Sequence, residues 1–337
     1  MYKRDVMPYY GGPVSFFRAP QIEIGQIVEG TAIVSGVPID NGIPSGRPGA
    51  RFGPRAIREA SLHPRGGYDS SPENTKVDIE SGIGTQLKSP PRLADIGDFN
   101  IYPTDLMKTT ESVKQGVHEV VKRGGFSVVM GGDHYVAYPS FEGFAKGMLE
   151  RKEGLRLGYI HIDAHSDFGD GNSLGGRYNH GTMVRRISEN PIISYKNLAW
   201  VGLNSSLTID QHRLKRTNDL KMLTARLVRE RGIAEVIREA MDVAADGVDA
   251  VYLSIDIDVI DAHESHGTGF PEFGGITTSE FLEAMEILSS FEALGAIDLC
   301  EVAPGWDSSG QTVRIASAGM LKLLHPWIFD TVEISGS

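Results

Sequence analysis

The sequence predicts an α/β protein with three layers, in which helices cover both faces of a mainly parallel central sheet. Short apolar runs rich in β-branched residues alternate along the chain with segments of helical periodicity. Some of these runs, such as Phe126–Met130, are apolar at nearly every position, as in strands buried on both faces. Alternating strands and helices imply parallel pairing through right-handed crossovers, and therefore a sheet with helices on either side.

The predicted elements follow one another without a linker or a break in composition. A glycine-, proline- and aromatic-rich arm covers residues 1–30, and one domain covers residues 31–337. Strands are predicted at 31–37, 93–97, 126–130, 157–162, 198–203, 250–254 and 294–299. The helices between them are predicted at 56–60, 104–123, 136–149, 233–241, 279–288 and 313–324, with others after residues 182 and 203. Residues 63–92 contain many turn formers and are predicted to be irregular.

Composition excludes several classes of function. The formal net charge is −11, whereas nucleic-acid-binding proteins present a basic surface. The chain has no apolar run of about 18 residues that could span a membrane, and no signal-peptide core follows Lys3 and Arg4. The single cysteine, Cys300, lies in an apolar run and cannot form an intramolecular disulfide. These features favour a buried structural thiol and a cytoplasmic location.

The stretch that follows the predicted strand at 157–162 carries two carboxylates and an imidazole. Asp163, His165 and Asp167 occupy alternate positions, so on an extended backbone their side chains converge on one point. Burying these groups together is costly unless a cation neutralises the carboxylates. The stretch therefore favours a metal site, with an acidic surface loop as the alternative interpretation.

Three other predicted strands end in groups of the same chemistry. Because ligands of open parallel sheets bind outside the carboxyl ends of the strands, we expect all these groups at one edge. Two histidines and four aspartates exceed the needs of one ion, which predicts two divalent cations about 3.5–4 Å apart. An oxygen-dominated ligand set favours Mn²⁺, while Ni²⁺, Co²⁺ and Fe²⁺ also accept mixed ligands. The additional residues are His134, Asp256, Asp258 and Glu301.

Three of these segments resemble the metal signatures of the ureohydrolases, the arginase and agmatinase family, and its agmatinase-like branch in particular. The similarity extends over about residues 31–325. It implies an arginase-like three-layer fold and a hydrolase that cleaves a C–N bond of a linear amidine. The implied substrate is a small cationic guanidino compound, such as agmatine or a guanidino acid, which yields urea and an amine. The segments are Gly131-Gly132-Asp133-His134, Asp163-Ala164-His165-Ser166-Asp167 and Ser254-Ile255-Asp256-Ile257-Asp258.

The resemblance also implies a ligand set. Asp163 and Asp256 would bridge two divalent ions, Mn²⁺ by preference and Ni²⁺ as the alternative. The remaining ligands would be His134 and Asp167 at one ion, and His165 and Asp258 at the other.

Three residues have catalytic roles implied by the resemblance. Asp167 would orient the hydroxide that attacks the guanidino carbon. His180 would be the acid–base histidine, because an imidazole with a near-neutral pKa suits proton delivery to a departing amine. Glu301 would hold the planar guanidinium by paired charge-assisted hydrogen bonds.

The sequence departs from the family pattern around the site. Tyr135 and Phe270 stand where smaller residues are common, which predicts a narrower and more apolar pocket. Guanidine itself, an alkylated guanidine or a biguanide, hydrolysed by a nickel enzyme, is therefore the alternative to agmatine. The segment 261–266 also replaces the usual stretch after the third signature. Its polar residues, which either face the substrate or are solvated, are His263, Glu264 and His266.

Assembly and activity leave further alternatives. Family members commonly form trimers or hexamers, so the resemblance implies a homo-oligomer. The alternative is a hetero-oligomer that contains a paralogue. An inactive metal-binding subunit is another possible function, although such subunits typically lose ligands and this chain has each of them. We expect neither nucleic acid nor membrane as a partner.

Overall fold

The computed structural model describes residues 14–43, 46–62, 75–79, 82–171 and 173–332. Its central layer is an eight-stranded sheet in which every neighbouring pair is parallel, which confirms the predicted parallel sheet. In spatial order the strands are β4 (Leu93–Asp98), β1 (Ala32–Gly36), β5 (Phe126–Met130), β10 (Leu294–Cys300), β9 (Ala250–Asp256), β6 (Leu157–Ile162), β7 (Ile193–Leu203) and β8 (Lys221–Thr224).

Helices pack on both faces of this sheet. Alternate residues of each strand enter separate hydrophobic cores, as Tyr159 and Ile160 of β6 do. The three-layer prediction is therefore confirmed. The helices are α1 (Gly53–Ser61), α2 (Leu106–Lys122), α3 (Ala137–Arg151), α4 (Met183–Ser188), α5 (Ile209–Asn218), α6 (Ala225–Arg231), α7 (Ile233–Ala245), α8 (Thr278–Ser289), α9 (Gln311–Leu323) and α10 (His325–Ile328).

Local signals account for most element boundaries. Helix α2 begins at Leu106, whereas the predicted segment starts at Thr104, because the Asp105 carboxylate caps the helix by accepting a hydrogen bond from the backbone N–H of Lys108. A reciprocal capping box of Thr277 and Glu280 starts α8. Strand β8 was not predicted, because it has only four residues and buries only Met222 and Leu223.

A second, smaller sheet takes two of its three strands from the region predicted to be irregular. Strands β2 (Lys76–Val77) and β3 (Gly84–Leu87) pair with each other, and β3 also pairs with β11 (Phe329–Val332). Both pairings are antiparallel. Residues 63–74 and 80–81 of the same region lie outside the described residues. The prediction was wrong for β2 and for β3, and β3 has a second partner in β11, far along the chain.

The described part of the predicted arm, residues 14–30, packs against the chain's own domain. Phe16 and Phe17 are buried in the core beside Leu93, and the backbone N–H of Phe16 donates to the Asp95 carboxylate at 2.9 Å. Residues 1–13 lie outside the described residues. Among the residues described, no helix has the length and apolar character needed to cross a bilayer.

Candidate metal centre and catalytic site

Four adjacent strands, β5, β10, β9 and β6, bring the predicted site residues to one edge of the sheet. His134 lies in the turn after β5, and Glu301 comes directly after β10. Asp256 is the last residue of β9, and Asp163 follows β6. The sheet order places these groups side by side, as the carboxyl ends of parallel strands require.

His134 lies at the centre of one group of carboxylates. Its Nδ1 atom is 3.1 Å from an oxygen of Asp163, 3.1 Å from one of Asp256 and 3.4 Å from one of Asp167. The other ring nitrogen, Nε2, lies 2.9 Å from the Ser254 hydroxyl. The ring is fully buried, so its orientation is fixed from both sides.

A second group forms around His165. Its Nδ1 atom is 3.0 Å from an oxygen of Asp258 and 3.5 Å from Oδ1 of Asp163. The backbone N–H of Ala164 donates to the Asp258 carboxylate at 3.3 Å. Asp163 therefore faces His165 with Oδ1 and His134 with Oδ2, so that it belongs to both groups.

The loop after β6 turns sharply inside the site. Asp167 has a φ of 43°, which is unusual for a residue other than glycine. The extended backbone predicted for this stretch is therefore wrong at Asp167, although the Asp167 carboxylate does reach His134. Two hydrogen bonds hold the turn, from the Trp200 indole to the carbonyl of Ser166 and from the Val184 amide to that of Asp167. Strained backbone of this kind is typical of functional sites.

Within the described residues, the carboxylates of this cluster have only histidines to balance their charge. Burial, with the nearby charges of Asp258 and Asp163, raises the pKa of Asp256 well above its usual range. Burial opposes protonation of His134, but the surrounding carboxylates outweigh it and raise the pKa of the imidazole. Within the described residues, only histidines form ion pairs with the site aspartates.

Unpaired atoms in the cluster are suited to cation binding. Oδ2 of Asp163 and Nδ1 of His134 are buried, and neither forms a well-aligned hydrogen bond within the described residues. Buried polar atoms normally have partners, so such a pair requires an explanation. Carboxylate oxygens mixed with imidazole nitrogens are ligands for divalent transition metals. The residues therefore fit a centre for divalent cations.

A second acidic position lies beside the cluster. Glu301 is buried, and its Oε1 atom accepts a hydrogen bond from the backbone N–H of His134 at 2.9 Å. Oε2 is buried next to Gly269 and has no partner within the described residues. A carboxylate with one oxygen anchored and the other free is suited to accept an N–H group from a ligand.

His180 faces Glu301 from the other side. Its Nδ1 atom lies 3.4 Å from Oε1 of Glu301, and its backbone N–H donates to the carbonyl of Gly42. Burial disfavours the imidazolium, but the Glu301 carboxylate outweighs that effect and raises the pKa of His180. The imidazole of His180 therefore lies next to the anchored oxygen of Glu301, on the same carboxylate as the free oxygen.

The sequence analysis missed His161. Its Nε2 atom lies 2.9 Å from Oδ2 of Asp163, and its ring stacks on that of His134 with centroids 5.0 Å apart. Because 161, 163 and 165 have the same parity, the alternation that selected Asp163 and His165 would also have selected His161. Its place within the apolar run of β6 concealed it.

A buried hydrogen-bond chain below the site was also missed. The Ser254 hydroxyl donates to Asp298 at 2.8 Å, and the Tyr252 hydroxyl donates to the other oxygen of Asp298 at 2.7 Å. Asp298 is fully buried and supports Ser254, which in turn contacts His134. An acidic residue in the middle of an apolar strand was the available signal.

Of the two residues expected to narrow the pocket, only Phe270 lies at the site. Its ring centroid is 6.0 Å from that of His165 and 5.4 Å from that of His180. The prediction for Tyr135 was wrong, because its hydroxyl lies 2.8 Å from that of Thr110 on α2, within the core.

The polar residues of the segment 261–266 form no hydrogen bond or ion pair with the site carboxylates within the described residues. His263 is exposed and pairs with Asp261 at 2.8 Å. The carboxylate of Glu264 accepts from the backbone N–H of Thr278 at the start of α8. The Nε2 atom of His266 is 3.6 Å from a carboxylate oxygen of Asp307.

Comparison with known proteins agrees with this geometry. The sequence model of the arginase family matches residues 30–325. The chain belongs to the arginase family. Human mitochondrial guanidino acid hydrolase is 31% identical over 86% of this chain and 76% of its own length. Guanidinobutyrase from Pseudomonas aeruginosa is 30% identical over 94% of this chain and 93% of its own.

Solved structures show the same fold. Proclavaminate amidinohydrolase from Streptomyces clavuligerus is similar with a TM-score of 0.79 and 28% identity, over 95% of this chain and 99% of that one. Arginase from Bacillus subtilis is similar with a TM-score of 0.70 and 27% identity, over 87% and 98%. This arginase-family member has the arginase-like fold and is a hydrolase that fits the agmatinase-like branch.

Proposed function

We propose that this enzyme hydrolyses a guanidino compound to urea and an amine at a centre of two divalent cations. The observation that carries the proposal is the free, buried oxygen of Glu301 beside a cluster of buried acids and histidines that could hold metal ions. The free oxygen suits a guanidinium N–H, and the acid cluster suits cations. In this arrangement, a guanidino carbon bound at Glu301 would lie next to a source of hydroxide.

The cations would be held by the residues that the resemblance selected. Asp163 would be shared, since its two oxygens face two different histidines. Mn²⁺ is the preferred ion because carboxylates outnumber imidazoles, and Ni²⁺ is the alternative. When bound, such a pair of ions supplies Lewis acidity and makes hydroxide available at neutral pH. The full set comprises His134, Asp163, His165, Asp167, Asp256 and Asp258.

The chain's own residues would carry the remaining steps. Glu301 binds the guanidinium through its free oxygen and orients the carbon. Asp167 accepts a hydrogen bond from the attacking water and so directs its lone pair. As oxygen adds to the carbon and the C–N bond breaks, His180 gives its proton to the departing amine. The water supplies the oxygen of urea; one of its two protons replaces the proton that His180 gave up, and the other reaches the departing amine, which leaves as an ammonium ion.

Candidate substrates come from the names of the relatives, which include guanidino acid hydrolase, guanidinobutyrase and agmatinase. Guanidino acids, guanidinobutyrate and agmatine are therefore the first to test. Phe270 beside both site histidines favours a second candidate, guanidine itself or a biguanide. An inactive metal-binding subunit is disfavoured, because each proposed ligand is present.

We also propose a cytoplasmic homo-oligomer, either a trimer or a hexamer. The family resemblance supports the assembly, with a paralogue as a second subunit type in the alternative. The buried, unpaired Cys300 supports a reducing compartment. Light scattering on the purified chain, alone and mixed with a paralogue, measures the mass that distinguishes these assemblies.

The proposed activity is tested with purified protein loaded with Mn²⁺ or, separately, with Ni²⁺. Urea and the freed amine are measured for agmatine, 4-guanidinobutyrate, 3-guanidinopropionate, guanidine and a biguanide. We expect equimolar urea and amine from at least one compound, and no product after chelation. Metal content is determined on each sample, so that failed loading is distinguished from inactivity. Fully loaded protein that releases neither product from any compound would overturn the proposal.

A further inference from the structure

The aromatic ring of Phe270 lies between the two histidines that flank the proposed reaction centre. Its centroid is 6.0 Å from the His165 ring, in an edge contact, and 5.4 Å from the His180 ring. His165 belongs to the cluster of aspartates and histidines, which we call the metal cluster. His180 faces Glu301. The ring therefore borders the space in which a guanidino group would react.

Phe270 directly follows Gly269, the residue that lies beside the proposed binding position of the guanidinium. The free Oε2 atom of Glu301 lies against Gly269, where an added Cβ would be 3.1 Å away. A guanidino group that donates to Oε2 thus lies beside Gly269. Because the Phe270 ring also lies beside His165 and His180, we expect a substituent on the guanidino nitrogen to meet this ring.

The loop at residues 46–49 prevents the ring from moving aside. A Cβ added at Gly46 would lie 2.3 Å from Cε2 of Phe270, so the ring packs directly on the backbone there. Gly46 has a φ of 98°, a conformation that glycine adopts without strain. A larger residue at this position would collide with the ring.

Arg47 fixes the segment that carries the ring. Its backbone N–H donates to the carbonyl of Gly269, and its guanidinium donates to the carbonyls of His266 at 2.9 Å and Thr268 at 2.8 Å. The same guanidinium lies over the ring of Trp306, 4.9 Å from its centroid. These contacts restrict the ring, because the backbone that leads into Phe270 is tied to a second loop.

The negative charge of Glu272, two residues after Phe270, also affects which substrates can bind. Oε1 of Glu272 lies 3.4 Å from Nε2 of His165, two residues beyond Phe270. A carboxylate at this point repels the terminal carboxylate of a guanidino acid. The phenyl ring itself offers no hydrogen-bond donor or acceptor to a distal polar group.

Building on the proposed function, we propose that Phe270 is a specificity-determining residue that closes the pocket just beyond the guanidino group. It selects compact guanidines, namely guanidine and its small alkyl derivatives, over substrates with a four-carbon chain and a charged end. The ring acts by excluding the longer substituent, and the segment 46–49 keeps it in place.

Steady-state kinetics of the metal-loaded enzyme and of Phe270→Ala test this assignment. The substrates are guanidine, methylguanidine, 4-guanidinobutyrate and agmatine, with urea as the common product. In Phe270→Ala we expect the ratio of kcat/KM for agmatine to that for guanidine to rise about 10–100-fold, as for pockets that discriminate by size. The matched control is Phe273→Ala, which removes an exposed aromatic ring from the same segment and should leave the ratio unchanged.

Inhibition of the native enzyme by n-alkylguanidines gives a second measurement that does not depend on a variant. Affinity should fall as the chain lengthens from methyl to butyl. An active enzyme that prefers agmatine, affinity that rises with chain length, or a folded, metal-loaded Phe270→Ala protein with an unchanged ratio would each overturn the assignment. Absence of urea from every substrate would instead overturn the proposed function.

Discussion

Among the described residues, two clusters of buried charge differ in how the chain balances them. In the first, which we call the Arg58 cluster, the guanidinium of Arg58 binds both oxygens of Asp95, at 2.8 and 3.0 Å, and one of Asp98 at 2.6 Å. Backbone N–H groups of Phe16 and Gly97 donate to the same Asp95 carboxylate. Every oxygen of Asp95 is thereby satisfied by a cation or by an amide.

The metal cluster of Asp163, Asp167, Asp256 and Asp258 with its histidines is different. Imidazoles are its only ion-pair partners within the described residues, and it contains buried atoms that form no well-aligned hydrogen bond there. The buried carboxylate charges of the Arg58 cluster are balanced by an arginine of the chain. Those of the metal cluster are suited to positive charge from bound cations. The comparison teaches that a buried acid indicates binding when the chain leaves it unpaired.

The largest effect is expected from Asp163→Ala, which removes the carboxylate shared by both halves of the metal cluster. We expect loss of all bound metal and of all detectable urea formation, since neither half keeps its ligands. Metal analysis by mass spectrometry and a urea assay on the same sample measure both. The control is Asp210→Ala, an exposed carboxylate on α5. Full activity in a verified metal-free Asp163→Ala protein would contradict the comparison.

The next effect concerns proton delivery beside the metal cluster. His180→Asn should lower kcat by about 10²–10⁴-fold, the usual contribution of a general acid, while metal content stays constant. Because the pKa of His180 is raised, the imidazole keeps its proton above its ordinary range, and activity falls as the pH rises through that raised value. Profiles of kcat against pH check this. A variant with the same alkaline decline as the native enzyme would show that another group donates the proton.

Arg58→Ala breaks the internally balanced cluster. It leaves the Asp95 carboxylate buried without its cation, so the free energy of unfolding should fall by about 3–5 kcal/mol. The matched control is Arg55→Ala on the same helix, whose exposed pair with Glu59 should contribute no more than about 1 kcal/mol. Urea denaturation of chelated protein measures both. Equal losses in the two variants would contradict the role assigned to burial.

The smallest effect is expected from His161→Gln. Its ring nitrogen contacts the shared carboxylate, so we expect metal affinity to fall by about 10–100-fold, as when a residue supporting a ligand is lost. Chelator competition measures the affinity. His118→Gln, a buried histidine paired with Glu150, serves as the control. Unchanged metal affinity in His161→Gln would exclude a supporting role for this residue.

Most of the correct predictions came from two features of the sequence, the periodicity of apolar residues and the position of polar residues at the ends of predicted strands. The buried runs located the central strands to within a few residues, and the carboxyl-end rule brought His134, Asp163, Asp256 and Glu301 to one edge. Contacts between distant parts of the chain, such as the pairing of β3 with β11, could not be predicted. The direction of side chains could not be predicted either, since sequence position alone cannot show that Tyr135 points into the core.

The most direct test of the central claim is the number of divalent ions held by the native chain. Protein reconstituted with Mn²⁺ and dialysed to remove free metal would be examined by mass spectrometry, together with anomalous scattering from a crystal. We predict two ions for each chain, one close to His134 and the other close to His165. A urea-producing enzyme that retains no metal, or one whose ions lie elsewhere, would contradict the claim.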